Sequence, residues 1–535
     1  MKLLYAITGT AAIAGTLLPT SCKRNQARRA ADGTRFNIVY IMCDDHSYQT
    51  VSAYDRRYME TPNIDRLAEE GNRFTNSFVA NSLSGPSRAC LLTGKHSHKN
   101  GFTNNEHGVF DGSQQTIPKL LREGGYETAM IGKWHLVSEP TGFDWWDILI
   151  GQGTYYNPTF VQNGDTLVRC GYSTDITTDL ALEWLENRRN TSKPFCLYLH
   201  YKAPHRTWMP DVQDLDLFSD TTFPLPENFY DDYSGREAAG LQEMSIIKDM
   251  NLVYDLKMAD PERKIHTPEN PELESWGYEM YLPVGSDSVP GHMNRAQQAA
   301  WDAHYGPIIK DFKKADLKGR ALAEWKYQRY MRDYCRVIHS VDRNVGRVYE
   351  YLRDRGLLRN TLVIYTSDQG FFMGEHGYFD KRFMYEESFR TPLVVRPPDD
   401  LPHRAGDIEA FVQNIDHGPT FLELAGLPVP DDIQGESYLP LLEGAAPDNW
   451  RKSLYYHYYE YPAEHSVRRH YGVRTERYSL MHFYNDIDEW ELFDLQADPL
   501  QMKNIYGQPG TEEITDSLKK ELSRLQKLYD DPISQ

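Results

Sequence analysis

The stretch FNIVYIMCDD, residues 36–45, decides the fold. Phe36 to Met42 is an apolar, β-branched run without polar alternation, the pattern of a parallel strand buried on both faces. It runs directly into Asp44-Asp45, and in open α/β sheets the carboxyl ends of strands are where ligands sit. Working outward, Thr61-Pro62 followed by Ile64, Leu67, Ala68 and Gly71 supplies an N-cap, a first-turn proline and a C′ glycine, which marks a helix at both ends. Strand-like runs recur at 128–131, 195–200, 362–366 and 393–395, with helical patterns around 117–123, 178–188 and 325–353. This alternation predicts an α/β fold: a large mixed, mainly parallel sheet sandwiched by helices.

Residues 208–320 are rich in Asp, Pro, Tyr and Met without sustained periodicity and read as surface excursions around a site mouth. After a Pro/Asp/Gly-rich crossover ending near Asn449, the runs RKSLYYHYYEYP, HYGVRTERYSLMHFY and DEWELFDL read as short strands, with a helix from about Glu512 to Tyr529. The expected organisation is a large domain over 36–445 and a small C-terminal antiparallel sheet plus helix over 446–535. Ahead of these, residues 1–22 carry Lys2, an apolar run from Leu3 to Leu18 and small residues before Cys22, the pattern of an export signal rather than a membrane span. Residues 23–35 are basic and aperiodic, a tether.

The 58 Lys+Arg against 77 Asp+Glu give a formal charge of −19, which argues against a nucleic-acid binder working through a diffuse basic surface. Any anion bound must meet local cations. The six cysteines, Cys22, Cys43, Cys90, Cys170, Cys196 and Cys335, are too few for a disulfide scaffold and have no zinc-ribbon spacing.

The segment SGPSRACLLTG, residues 84–94, places Ser84 two residues before Pro86, where a helix N-terminus offers unpaired N–H groups to an anion. A lone S-x-P would equally suit a serine capping a helix. Asp44-Asp45 and Asp368-Gln369 are two pairs at equivalent strand ends, and their hard oxygens suit Ca²⁺ or Mg²⁺ rather than zinc. Either pair alone would suit a turn. Gly132-Lys133-Trp134-His135 and Pro204-His205 also follow predicted strands, though each by itself would fit an ordinary loop.

As a whole the eleven-residue segment resembles the signature of the type I, formylglycine-dependent sulfatases of the alkaline-phosphatase-like superfamily, and the resemblance extends over most of the chain. It implies that Ser84 is oxidised to Cα-formylglycine by a serine-type maturation enzyme, and that the hydrated aldehyde attacks sulfur, releases the alcohol and then eliminates sulfate. It further implies that Arg88 holds the modified side chain and that Asp44, Asp45, Ser84, Asp368 and Gln369 ligate calcium, or magnesium in its place, with Gln369 departing from the more common Asn or His. Lys133 and His135 of the G-K-W-H motif would flank the aldehyde, and His205 would be the general acid, a role suited to a reference pKa of about 6.5. Lys381, in GEHGYFDKRF, would bind sulfate; its neighbour Arg382 would point elsewhere on an extended chain. Cys90 reads as a packing residue.

The segments DDYSGR and HYGVRTERYSL are most similar to bacterial carbohydrate sulfatases related to N-acetylglucosamine-6-sulfatases. This implies a sulfated saccharide substrate, the 6-O-sulfate of N-acetylglucosamine in glycosaminoglycan fragments. Arg206, Trp208, His376, His457, Tyr458 and His470 are the candidate substrate residues. The alternatives are a phosphonate or phosphate ester hydrolase of the same superfamily, or a silent glycan-binding lipoprotein. The leader resembles a bacterial lipoprotein signal with Cys22 as the lipidated residue, Pro19 leaving a simply secreted form open. The expected location is the periplasm or the outer membrane of a Gram-negative bacterium, with membrane contact only through that anchor.

Overall fold

The computed structural model describes residues 28–258 and 293–534; the leader and Cys22 lie outside them. Five strands form the centre of the main sheet: β1 (Asn37–Cys43), β2 (Glu127–Lys133), β3 (Phe195–His200), β4 (Thr361–Ser367) and β5 (Leu393–Arg396). Their spatial order is β5-β4-β1-β3-β2, within a sheet of ten strands among the described residues. β1 pairs parallel with both β3 and β4, β2 pairs parallel with β3, and β5 closes antiparallel on β4. Every residue of β1 is buried, as the uninterrupted apolar run predicts.

The pleat divides these strands between two cores. Val39, Ile41, Cys43, Leu197, Val363 and Tyr365 face one helical layer, whereas Ile38, Tyr40, Met42, Tyr198, Leu362 and Ile364 face the other. The helices α1 (Pro62–Glu69), α2 (Ser84–Thr93), α3 (Arg295–Ala315) and α4 (Gly319–Asp354) contribute to these layers. Thr61 stands at the N-cap of α1 but makes no side-chain cap bond there; Asp342 of α4 instead accepts from the N–H groups of Asn63 and Ile64 at 3.0 and 2.9 Å. One side chain thereby satisfies a helix end and pins α1 to α4.

α3 corrects the reading of 208–320 as surface excursions. Its buried residues Trp301, Tyr305 and Ile309 make one narrow i, i+4, i+8 stripe that continues across Pro307 inside the helix. Residues 259–292 of that stretch lie outside the described residues. The tether reading is corrected over 28–35, where Arg28 bonds Glu423 and Glu443 at 3.1 Å each and Ala31 donates to Asp400 at 2.9 Å.

The C-terminal part is an antiparallel sheet of β6 (Ser453–Tyr458), β7 (His470–Thr475), β8 (Tyr478–Phe483) and β9 (Glu489–Asp494), followed by α5 (Glu512–Leu528). Leu518, Leu522 and Leu525 of α5 cover one face, against Tyr455, Val473, Leu480 and Leu492. The other face, with Leu454, Tyr456, Tyr458, Met481 and Phe483, continues the main core.

Candidate active site

Four strand ends and one helix start converge. Asp44-Asp45 leave β1, Lys133 ends β2, His205 follows β3, Asp368-Gln369 leave β4, and Ser84 is the first residue of α2. β2 can bring Lys133 this close because Gly132 has φ +104 and a Cβ there would lie 1.9 Å from the carbonyl oxygen of His200.

Ser84 Oγ donates to Asp44 Oδ1 at 2.8 Å and accepts from Gln369 Nε2 at 3.1 Å. Gln369 Nε2 also donates to Asp45 at 2.6 Å. Lys133 pairs with the other oxygen of Asp44 and with Gln152, and Lys381 pairs with Asp45 at 2.7 Å. Arg88 donates to Asp368 at 3.1 and 2.8 Å and to the carbonyl of Lys133 at 2.7 Å, with His200 Nδ1 at 3.3 Å. The predicted metal ligands and the cations Arg88, Lys133 and Lys381 therefore meet in one place.

Three buried carboxylates share this space, and their titration follows from it. Burial opposes the charge of Asp44, but Lys133, His205 and Arg88 outweigh it and hold the carboxyl well below the ordinary range. Asp45 is pushed up to about 6 by burial and by Asp44, against Lys381. Asp368 is pushed up to about 8 by burial and by Asp44, against Arg88. Burial also brings Lys133 down to about 8.

The donor set fits a divalent cation. Gln369 Oε1 is buried without a hydrogen-bond partner, and turning the amide over would direct that oxygen toward the Asp45 side. Carboxylate ligand atoms of Asp44 and Asp45, with His205, lie within 4.8 Å of one another. Oxygens of Asp44, Asp45, Asp368 and Gln369 make the hard, oxygen-rich set that calcium or magnesium takes.

The two predicted site histidines are half-buried. His205 Nδ1 donates to the Arg206 carbonyl at 2.7 Å, which leaves Nε2 facing Asp45 at 3.7 Å. Burial holds its pKa well down against the pull of Asp44. Burial and then Lys133 do the same to His135.

The substrate candidates fare differently. Trp208 is 0% exposed and packs on Tyr330, Phe371 and Phe379. His376 is buried on Asp231 at 2.6 Å, and the same Asp231 holds Arg236, so the DDYSGR segment builds a core ion cluster. His457 bonds Asp531 at 2.8 Å and Tyr484 at 2.7 Å; Tyr458 and His470 are fully buried in the face of the small sheet turned to the main core. These five residues cannot form a rim: the main core covers Trp208 and His376, the docking of the small sheet covers Tyr458 and His470, and Asp531 and Tyr484 close over His457 on that sheet's other face. Arg206 retains 15% side-chain exposure, with its guanidinium held by Asp255 and Glu464.

Three contributions escape sequence reasoning. Gln152, in a Gly-Gln-Gly turn, reaches Lys133. His200, assigned no role from sequence, meets Arg88. Arg382 points elsewhere than Lys381, as expected, but through a turn and not an extended chain: Asp380 and Arg382 have φ +79 and +91, and Arg382 is buried against Asp380 at 3.1 Å and Glu460 at 2.8 Å while Lys381 reaches Asp45. Nothing in the sequence links Lys133 with Gln152, Arg88 with His200 or Arg382 with Glu460, which lie 19, 112 and 78 residues apart. Cys90 is buried with Ala80 and Ile415.

Comparison with known proteins bears on this geometry. A family model described as sulfatase matches residues 36–427, and one described as N-sulphoglucosamine sulphohydrolase, C-terminal, matches residues 374–528. The chain is 51% identical over 504 residues to an N-acetylglucosamine-6-O-sulfatase of Bacteroides thetaiotaomicron, covering 93% of this chain and 87% of that protein. A multifunctional alkaline phosphatase superfamily protein of Trinickia caryophylli is 27% identical over 528 residues, 92% of this chain and 95% of its own. A solved structure of a protein in complex with its substrate D-glucosamine-2-N,6-O-disulfate superposes with a TM-score of 0.86 at 51% identity, covering 93% of this chain and 99% of that one.

Proposed function

The chain belongs to the sulfatase family, and from that premise we propose that it removes the 6-O-sulfate of N-acetylglucosamine-type residues in glycosaminoglycan fragments. The observation that carries the reading is the position of Ser84, at the head of α2 between Asp44 and Gln369, inside a ring of cations and carboxylates. The 51% identity over 93% of the chain supports the choice of sugar and position.

Asp44, Asp45, Asp368 and Gln369, with the modified Ser84, would hold calcium, or magnesium, which when bound would neutralise sulfate charge. Ser84 converted to Cα-formylglycine would supply the nucleophilic oxygen. The remaining work falls to side chains of this chain. Arg88, fixed by Asp368 and the Lys133 carbonyl, presents positive charge beside the Ser84 position. Lys133 and Lys381 bracket the site from Asp44 and Asp45 and bind the ester's oxygens. His205 carries the proton for the leaving alcohol on Nε2, since Nδ1 is fixed to a carbonyl; an arriving anionic sulfate favours the protonated ring that burial otherwise disfavours. His135 tunes protonation at the modified side chain beside Lys133.

Mass spectrometry of the Ser84 peptide from the native host tests the chemistry: loss of two hydrogens supports it, and full activity of protein with unmodified Ser84 overturns it. A panel of sulfated monosaccharides tests the substrate, with release expected from the 6-O position. Faster turnover of aryl phosphate than of aryl sulfate would favour a phosphate ester hydrolase instead. We read residues 1–22 as an export signal placing the enzyme in the periplasm or on the outer membrane, with Cys22 as lipid anchor; radiolabelled palmitate incorporation that vanishes in Cys22→Ser tests the anchor.

A further inference from the structure

The end of the small sheet remote from the catalytic site carries a groove of about 610 Å³ between the start of β6, the end of β7 and α5. Its walls hold Lys452, Arg477, Lys520 and Arg524 against Glu476 and Glu521, so it is locally cationic in a chain of formal charge −19. Arg477 is engaged by Asp494 at 2.6 Å and Arg524 by Glu521 at 2.7 Å. Lys452 and Lys520 are exposed, and among the described residues neither has an ion pair. One comes from the residue preceding β6 and the other from α5, so two uncommitted ammonium groups face the same space from separate elements. Ser517 adds an exposed hydroxyl to the lining, while that of Thr475 is engaged by Tyr478 in the turn between β7 and β8.

We propose that this groove is an accessory binding site for a sulfated oligosaccharide, separate from the catalytic pocket. Ammonium groups take sulfate monoanions as point charges, hydroxyls suit sugar oxygens, and the volume lies within the range of ligand sites. The far end of β6 reaches Tyr458, whose hydroxyl meets Arg382 at 3.4 Å. At ~3.3 Å per residue the strand sets the groove roughly 20 Å from that cluster. A chain held in the groove is thereby concentrated near the catalytic pocket without adding any contact to the reacting sugar. The ligand class rests on the functional reading above; the groove's charge does not.

The test uses the full chain and its Lys452→Glu/Lys520→Glu variant. The probe is a 6-O-desulfated heparin octasaccharide, which withholds the ester that the catalytic pocket would hold. Calorimetry is expected to show binding that weakens about tenfold or more in the variant and also weakens as salt rises. Turnover of a 6-sulfated monosaccharide stays within about twofold, because neither lysine approaches the pocket. Equal octasaccharide affinity in both proteins overturns the proposal. So does a variant that loses binding to phosphatidylglycerol vesicles while keeping the octasaccharide, since the groove would then be a membrane contact. Absence of monosaccharide turnover in the unsubstituted, matured enzyme would remove the functional reading and leave groove binding intact.

Discussion

Gln369 donates its side-chain N–H to Asp45 across 2.6 Å while its own Oε1 is buried without a partner. A buried amide oxygen left unpaired costs about 1–3 kcal/mol, and a cation among the carboxylates removes that cost once the amide turns over. Gln369→Leu keeps the apolar volume and removes the oxygen. Calcium affinity is expected to fall about tenfold or more with the fold retained, as read by calcium titration and circular dichroism. Unchanged affinity would exclude Gln369 as a ligand.

The three crowded carboxylates make calcium and protons competitors. Asp45 at about 6 and Asp368 at about 8 both lie above the ordinary carboxylate value. Between that value and their own, the calcium-free folded protein binds more protons than the unfolded chain, so these two groups make stability fall as pH rises. Calcium requires both ionised, so its affinity rises over the same interval. The difference in Tm between calcium and EDTA samples should therefore be small near pH 5 and grow toward pH 8. A difference that is flat or shrinks with pH contradicts this account.

Arg88 and Asp368 form an ion pair with 1% and 0% side-chain exposure. Above about pH 8, where Asp368 is ionised, Arg88→Ala leaves a buried carboxylate uncompensated and should cost about 3–5 kcal/mol by urea unfolding, besides abolishing turnover. Adding Asp368→Asn should return much of the stability and none of the activity. A double variant as unstable as the single would show that the pair's charge is not what matters.

Trp208→Ala and His457→Ala separate structure from substrate binding. The first opens a cavity among Tyr330, Phe371 and Phe379 and should cost about 3–5 kcal/mol. The second strands Asp531 and should cost about 1–3 kcal/mol. Among sulfated monosaccharides, neither should change the order of kcat/KM values measured well below Tm. A selective loss for one sugar would restore these residues to a substrate role.

Much of this arrangement was legible in the chain because it is local. The uninterrupted run ending in Asp44-Asp45, the segment of residues 84–94, Gly132-Lys133 and Asp368-Gln369 each sit at a strand end or helix start that short-range patterning marks. In a parallel sheet, strand ends of one sense are brought to one edge, so the three strand-end patterns share one site, to which the helix start at Ser84 is joined by its bonds to Asp44 and Gln369.

What only the tertiary structure decided involves residues remote in sequence. Asp342 rather than Thr61 caps α1, because α4 happens to lie there. Arg382 is buried because the chain turns at φ +91 and Glu460, just beyond the end of β6, meets its charge. Tyr458 and His470 are covered where the small sheet's second face joins the main core, and His457, on the opposite face, is covered by Asp531 and Tyr484. Periodicity tells a chain which residues seek burial or a strand end. Which distant partner covers a polar side chain depends on how whole layers dock, and composition and spacing do not carry that information.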